Sequence, residues 1–328
     1  MILSSQKLVE LSKIEWQQNQ KNVWKQQRNK AYNYYKGRTD EYLKAYYKVD
    51  KGVPIYDKIP IPKIEVTKRV INRISLVYMH PPARKYSNEI LQDFTKDKSH
   101  KLQRAERLTN LLEVVLLKPT WRNDLIEYDI IRDYEPIFGD DPLTPVAITY
   151  PLSVKDSVMD TTPELWAYWD SENAYTYEKT TGKLIITEDN PEMINFYQIL
   201  PFVECYRDGK PEASYLDTDA SPGLIATNEM INIAEFNKAA NVQFQSFGTG
   251  YISGSNIDYD KLEIGPDKWS QLGHDGTLGM VSPPNTVDSI SNAIQSSYKL
   301  LAQNYGLDAS FADGTAAESG VSRKLRMQ

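Results

Sequence analysis

The stretch NIAEFNKAANVQFQSFGTGYISG, Asn232 to Gly254, decides how this 328-residue chain is read. Glu235 and Lys238 are its only charges, in a chain that is 25% Asp, Glu, Lys and Arg. A helix on a protein surface ordinarily carries more, because one face has to meet water. Just upstream, Ser221-Pro222 supplies an N-cap and a first-turn proline, and Gly248 supplies a stop, so the sequence predicts a helix over about 222–247. Stepping about 100° per residue puts Ile233, Phe236, Ala240, Phe244 and Phe247 on one stripe. Neutral amides flank it: Asn228, Asn232, Asn237, Asn241, Gln243 and Gln245.

A second helix of the same character follows. Residues 249–285 read as short strands and turns, after which Asn285 or Thr286 caps a helix that ends before Gly306. Its stripe is Val287, Ile290, Ile294, Tyr298, Leu301 and Tyr305, and its opposite face is Asn292, Gln295, Ser296, Lys299 and Gln303. Asp288 and Lys299 are its only charges. The segment GLDASFADGTAAESG, 306–320, then reads as a mobile loop rich in small residues, and VSRKLRMQ as the start of another helix, apparently cut short.

Upstream the text changes character twice. Residues 7–47 predict one or two helices, stopped at Gly37, and the proline-punctuated 53–64 predicts an extended connector. Helices are expected over 65–79, where Val66, Val70, Ile74 and Val77 share a face, and over 101–117. Between 123 and 215 the apolar period becomes two, in PVAITYPL, ELWAYWD, AYTYEK and KLIITE, with TTGK (180–183) as a hairpin turn and a further strand in FYQILPFVECYRDGK. The fold class expected is therefore α+β.

Composition excludes several classes. A single cysteine, Cys205, rules out an intrachain disulfide framework. No apolar run approaches the roughly 18 residues of a membrane span, and the N-terminus lacks the pattern of an export signal, so a soluble, non-exported protein is expected. A net charge of −6 argues against whole-molecule attraction to nucleic acid, although residues 1–50 hold ten Lys and Arg against five acids. The 22 tyrosines and six tryptophans are of the kind that fill subunit interfaces.

Chemistry-bearing motifs are weak. FGDD carries Asp140 and Asp141, the carboxylate pair of a polymerase-type hairpin, but Pro142 and Pro145 are expected to deny it the following strand. GTG (248–250) closes a helix instead of opening one, and SSYK (296–299) lacks the companion elements of a serine acyl-transfer site. His80, His100 and His274 stand apart from each other and from any metal-ligand spacing. Neither a catalytic set, a metal site nor a cofactor site is legible, which points to a structural or assembly role and away from an enzyme.

In order, AYNYYKGR, KRVINRISLVYMHPP, a β-rich middle, ILPFVECYRDGKPEASYLDTDASPGLIATNEMINIAEFNKAANVQFQSFGTGYISG and SYKLLAQNYGLDASFADGTAAESGVSRKLR resemble the portal proteins of tailed bacteriophages, over roughly 30–328. The resemblance implies a virion protein at one capsid vertex, assembled in the host cytoplasm as a ring of typically about twelve copies. Double-stranded DNA passes through such a ring during packaging and ejection. Its partners are the terminase large subunit, the major capsid protein and a head-tail adaptor or connector, with no membrane and no cofactor. It also implies a wing (51–218) beside an N-terminal helical segment (1–50), a first stem helix (219–248), a clip (249–285), a second stem helix (286–306) and a tunnel loop (307–320) before 321–328.

By position, the channel set is Asn228, Asn232, Asn237, Asn241, Gln245, Asn292, Gln295, Lys299 and Gln303. The tunnel-loop set is Asp308, Ser310, Phe311, Asp313, Glu318 and Ser319, and the stem-packing set is Ile233, Phe236, Phe244, Ile290, Ile294 and Leu301. Another head-tail adaptor ring, or a nucleic-acid enzyme using Asp140 and Asp141, are the alternatives.

Overall fold

Mixed helix and antiparallel sheet, expected from the change of period along the chain, is what the computed structural model shows. It describes residues 5–51, 61–79, 83, 85, 98–122, 125–152, 164–188, 190–245, 249–253, 277–281, 286–308 and 311. The helices are α1 (Ser5–Tyr35), α2 (Asp40–Lys51), α3 (Val66–Ile74), α4 (Ser99–Leu112), α5 (Pro222–Gln245) and α6 (Val287–Asn304). The strands are β1 (Val114–Arg122), β2 (Leu125–Ile131), β3 (Glu135–Phe138), β4 (Pro145–Pro151), β5 (Leu165–Trp169), β6 (Ala174–Glu178), β7 (Leu184–Ile185), β8 (Val203–Tyr206), β9 (Thr249–Ser253) and β10 (Thr277–Val281). They fall into two units, 1–35 with 68–222 and 36–67 with 223–328, which cut across the segments expected from the sequence.

The first unit holds two antiparallel sheets, ordered β2-β1-β8 and β3-β4-β5-β6-β7. Val114, Leu116 and Ile131 of the smaller sheet share a buried cluster with Ile148, Tyr150 and Ala167 of the larger. Each such aliphatic side chain contributes about 1.5–3 kcal/mol by leaving water. From α1, Trp24 enters the same cluster and meets Tyr134 edge to face, its indole N–H donating to Thr218 Oγ1 at 2.8 Å. One turn on, the buried Arg28 donates to the carbonyls of Leu112 (2.8 Å), Val114 (2.9 Å) and Arg132 (2.7 Å) and stacks on Trp24. Burial lowers its pKa, and three backbone acceptors supply what lost water no longer does.

Two expected helices end early, each for a local reason. The 101–117 pattern stops at Leu112, because Glu113 sits at φ 71° and the run Val114-Val115-Leu116-Leu117 continues as β1. A short apolar run with two β-branched residues suits a strand covered on both faces as well as a buried helix turn. The 65–79 pattern stops at Ile74, where Glu106 accepts the backbone N–H groups of Val77 (2.9 Å) and Tyr78 (3.2 Å) and so competes with the helix for them.

The prolines after FGDD do not prevent a strand. β4 begins at Pro145 and pairs with β3 in the register Phe138↔Pro145 and Glu135↔Thr149, since a strand's first residue need not donate to the ladder. Pro142 instead offers its carbonyl to the Tyr215 N–H at 3.0 Å. The turn thus has the hairpin topology that the sequence argued against. β5, β6 and β7 fall within the expected runs ELWAYWD, AYTYEK and KLIITE without alternating in burial, and the TTGK turn between β6 and β7 is closed by Gly182 at φ 70°.

In the second unit, α1's continuation turns at Gly37, whose φ of 68° is the left-handed cap expected there. A Cβ at this position would lie 2.7 Å from Glu65 Oε1, the end of a flexible side chain that can swing aside, so it is the backbone that calls for glycine. No described helix is long and apolar enough to cross a membrane.

Candidate functional site

The second unit sets α5 and α6 at the two ends of an antiparallel ribbon, β9 paired with β10 from Thr249↔Val281 to Ser253↔Thr277. Helix, ribbon and helix follow in chain order; of the segment 249–285, expected as a clip, residues 254–276 and 282–285 lie outside the described residues. Asn241 Nδ2 near the end of α5 donates to Thr286 Oγ1 at 2.6 Å, tying the close of one helix to the opening of the other. The Thr286 hydroxyl therefore serves Asn241 and makes no cap hydrogen bond to α6. At the far end of α6, Gly306 lies at φ 59° and the Leu307 N–H reaches Ala302 O at 2.7 Å, a closing pattern that satisfies the last turn.

The face that α5 buries is not the one the sequence stripe indicates. Leu224, Asn228, Ile231 and Asn232 are fully or almost fully buried, and this line lies about a third of a turn from the stripe through Ile233 and Ala240. Phe236 is buried as expected, Ile233 only half-buried, and the side chain of Phe244 lies outside the described residues.

Asn228 and Asn232 are corrections to the channel set, since both are wholly inside the chain. Asn228 Oδ1 accepts from the Thr67 N–H (2.8 Å) and hydroxyl (3.0 Å), while its Nδ2 donates to Ile64 O at 2.9 Å. Asn232 Oδ1 accepts the Ile64 N–H at 2.8 Å, and its Nδ2 donates back to Asn228 O at 3.0 Å. Spaced four apart, the two amides share one helix face and grip the segment entering α3. Thr67 is in the first turn of α3, so Asn228 satisfies an N–H that has no partner within its own helix. An amide can both donate and accept, which is what the exposed edge of an extended backbone requires.

The remaining amides stand differently. Asn237, Asn292, Lys299 and Gln303 are exposed, Gln295 is half-buried, and the side chain of Gln245 lies outside the described residues. The charges on this half of α5 cancel locally: Lys238 Nζ lies 2.6 Å from Glu235 Oε2. On α6, Ile294 and Leu301 are buried within the chain, and Ile290 is half-buried. Ser296 and Ser297 donate to the carbonyls of Asn292 and Ala293, so the SSYK hydroxyls belong to the helix's own backbone.

Phe311, expected in the projecting loop, is also corrected. It is buried edge to face on Tyr298 at 6.2 Å, and its N–H is held by both the carbonyl (3.1 Å) and the carboxylate (3.2 Å) of Asp308. The chain after α6 thus begins by folding back on that helix. Ser310, Asp313, Glu318 and Ser319 lie outside the described residues.

In the first unit, Asp140 and Asp141 are exposed at the β3–β4 turn. Asp141 accepts the Leu143 N–H at 2.9 Å, and that hydrogen bond is the main cause holding its carboxyl below the usual range. This is the bonding of a turn-forming aspartate. Among the described residues, no three His, Cys, Asp or Glu side chains gather closely enough to hold a metal ion. No family model matches the chain, and no curated protein does.

Proposed function

We propose that this chain is a portal-type subunit, assembling with copies of itself into a ring whose channel passes double-stranded DNA. The observation that carries the reading is the charge-poor helix, ribbon and helix of the second unit. In a closed ring each side chain recurs once per copy, so a single unpaired lysine facing the bore becomes a girdle of cations. Every phosphate neutralised by such a girdle releases counterions and tightens binding, which would hold a duplex that must slide. The Glu235–Lys238 pair and the exposed amides Asn237, Asn292 and Gln303 suit a wall that DNA passes without adhering. Lys299 remains exposed on α6 and is the one departure within that described set.

On this reading the ring sits at a capsid vertex, receives the terminase large subunit during packaging, and then a head-tail adaptor, with the major capsid protein around it. It is a structural part and uses no cofactor. Light scattering on the purified chain tests the claim. A species near twelve times 37.6 kDa is expected, and a concentration-independent monomer overturns the proposal.

A further inference from the structure

The five-stranded sheet of the first unit carries a hollow that its own ladder creates. Tyr150 pairs with Ala167 and Ala167 with Thr176, while Trp169 pairs with Ala174, so large rings and small side chains share one face. The small ones leave a cleft of about 440 Å³, inside the range of about 300–1,000 Å³ usual for small-ligand sites. Its outer wall is the loop after β7, through Ile194, Phe196 and Tyr197.

That wall is set before anything binds. Asn195, itself buried, donates to the carbonyls of Asp170 (2.6 Å) and Ile199 (2.8 Å) and accepts the Tyr197 N–H (3.1 Å). Asn190 donates to the carbonyls of Ala174 (2.9 Å) and Ile194 (3.0 Å) and accepts the Ile194 N–H (3.2 Å), so its amide is spent on the scaffold. Met193 (φ 58°) and Gln198 (φ 54°), on either side of the two rings, hold left-handed backbone without being glycine, a shape these anchors impose. Phe196 is left 72% exposed and Tyr197 56%. A guest stacking on them meets a surface with little freedom to lose.

The lining selects the guest. Lys118 is the one charged residue among those lining the cleft. Its ammonium lies 3.8 Å from the centre of the Trp169 ring and donates to the Tyr150 hydroxyl at 3.2 Å, and Asp129 is its cross-strand partner. A cationic guest therefore finds the Trp169 ring already taken by a like charge, and an anionic guest finds a single cation already engaged. A wholly apolar guest would strip water from the hydroxyls of Thr176, Thr187, Tyr175 and Tyr197, which make no hydrogen bond within the described chain. A planar base sandwiched between rings needs parallel faces about 7 Å apart, twice the contact distance of about 3.5 Å. Trp169 and Tyr197 instead stand 6.5 Å apart and tilted by 33°. What remains is a neutral molecule with C–H faces for the electron-rich aromatic faces and hydroxyls that both donate and accept at its edges.

We infer that this cleft binds a neutral saccharide of roughly one or two pyranose rings, its C–H face on Phe196 and Tyr197 and its hydroxyls on Thr176 and Thr187. Only the first unit is involved, so binding is expected whether or not copies of the chain assemble.

The test titrates the full chain with the methyl glycosides of glucose, galactose, mannose and N-acetylglucosamine and with maltose and cellobiose, read by saturation-transfer NMR. At least one is expected to bind, with transfer strongest to its ring C–H protons. Tyr197→Ala, at an exposed rim position, is expected to weaken that binding about tenfold, and Thr176→Val, which keeps the shape and removes the hydroxyl, about fivefold. Leu184→Ala, exposed and outside the lining, is expected to leave it unchanged, and circular dichroism shows that each variant is folded. Longer oligomers of the sugar that binds are expected to bind no tighter than its disaccharide; a steep gain with length overturns the one- or two-ring assignment. Binding by none of the six sugars, or binding that both cleft variants retain in full, overturns the site. Benzoate or adenosine binding there in place of every sugar overturns the choice of ligand class.

Discussion

Replacing Asn228 with alanine tests whether the α5 amides are structural clamps or a lining. Asn228 is 0% exposed and makes three hydrogen bonds to Ile64 and Thr67, each between 2.8 and 3.0 Å. The truncation strands the buried N–H of Thr67 and weakens the satisfaction of Ile64 O, for which Asn232 Nδ2 offers only a 3.5 Å alternative. A buried group left without a partner costs about 1–3 kcal/mol, so the loss expected is about 3 kcal/mol. Asn228→Asp should cost a comparable amount, because it keeps the acceptor for Thr67 but turns a carboxylate towards the Ile64 carbonyl. Asn237→Ala, at an exposed position of the same helix, should stay within about 0.5 kcal/mol. Urea denaturation followed by circular dichroism gives all three values, and amide exchange gives a local one. Exchange at Thr67 should quicken by roughly a hundredfold, at about 1.4 kcal/mol per factor of ten. If Asn228→Ala proves as mild as Asn237→Ala, the clamp is wrong and Asn228 returns to the solvent-facing set.

Two other perturbations follow from the first unit. Tyr134 and Tyr215 share a hydrogen bond of 2.7 Å in the core; burial pushes Tyr134 up to about 12 and Tyr215 well above its ordinary value. In the unfolded chain both titrate near 10, so their contribution is complete below about pH 10 and is lost as pH rises from there through about 12. The unfolding free energy from urea titration should fall by a few kcal/mol over that window, and Tyr134→Phe should flatten part of the slope; a stability independent of pH there refutes the pairing. Alanine at both Asp140 and Asp141 should remove the Asp141–Leu143 turn hydrogen bond, leave the urea midpoint close to that of the wild type and leave assembly intact. A nucleic-acid processing activity that this double change abolishes would favour the enzyme alternative.

The parts of the fold legible in the sequence were those fixed by local rules. Pro222 at a helix start, Gly37 and Gly306 in left-handed caps, and the TTGK turn with Gly182 at φ 70° each express a constraint that neighbours in sequence impose. What failed depended on distant partners. Val114 to Leu117 are compatible with either period, and only pairing with β2 and β8 makes them a strand. The early end of α3 is set by Glu106, about thirty positions away. Asn228 and Asn232 looked like a polar helix face because their partners, Ile64 and Thr67, are more than 160 residues upstream. A signal did exist: amides four apart on a charge-poor helix, and a proline-rich segment whose backbone groups need partners. Phe311 was hidden among small residues that read as loop, yet a lone phenylalanine there has reason to seek the aromatic stripe of α6.

For Asn232 to Gly254 the account is now divided. Asn232 at its start holds the Ile64 backbone, Glu235 and Lys238 neutralise each other, and Asn237 is left to face outward. Only this last part bears on a channel, and the ring itself is its central claim. Electron micrographs of the purified full chain test that claim most directly. End-on views are expected to show closed rings of about twelve copies with a central hole wide enough for a DNA duplex, and particles without a hole, of one or two copies, would contradict it.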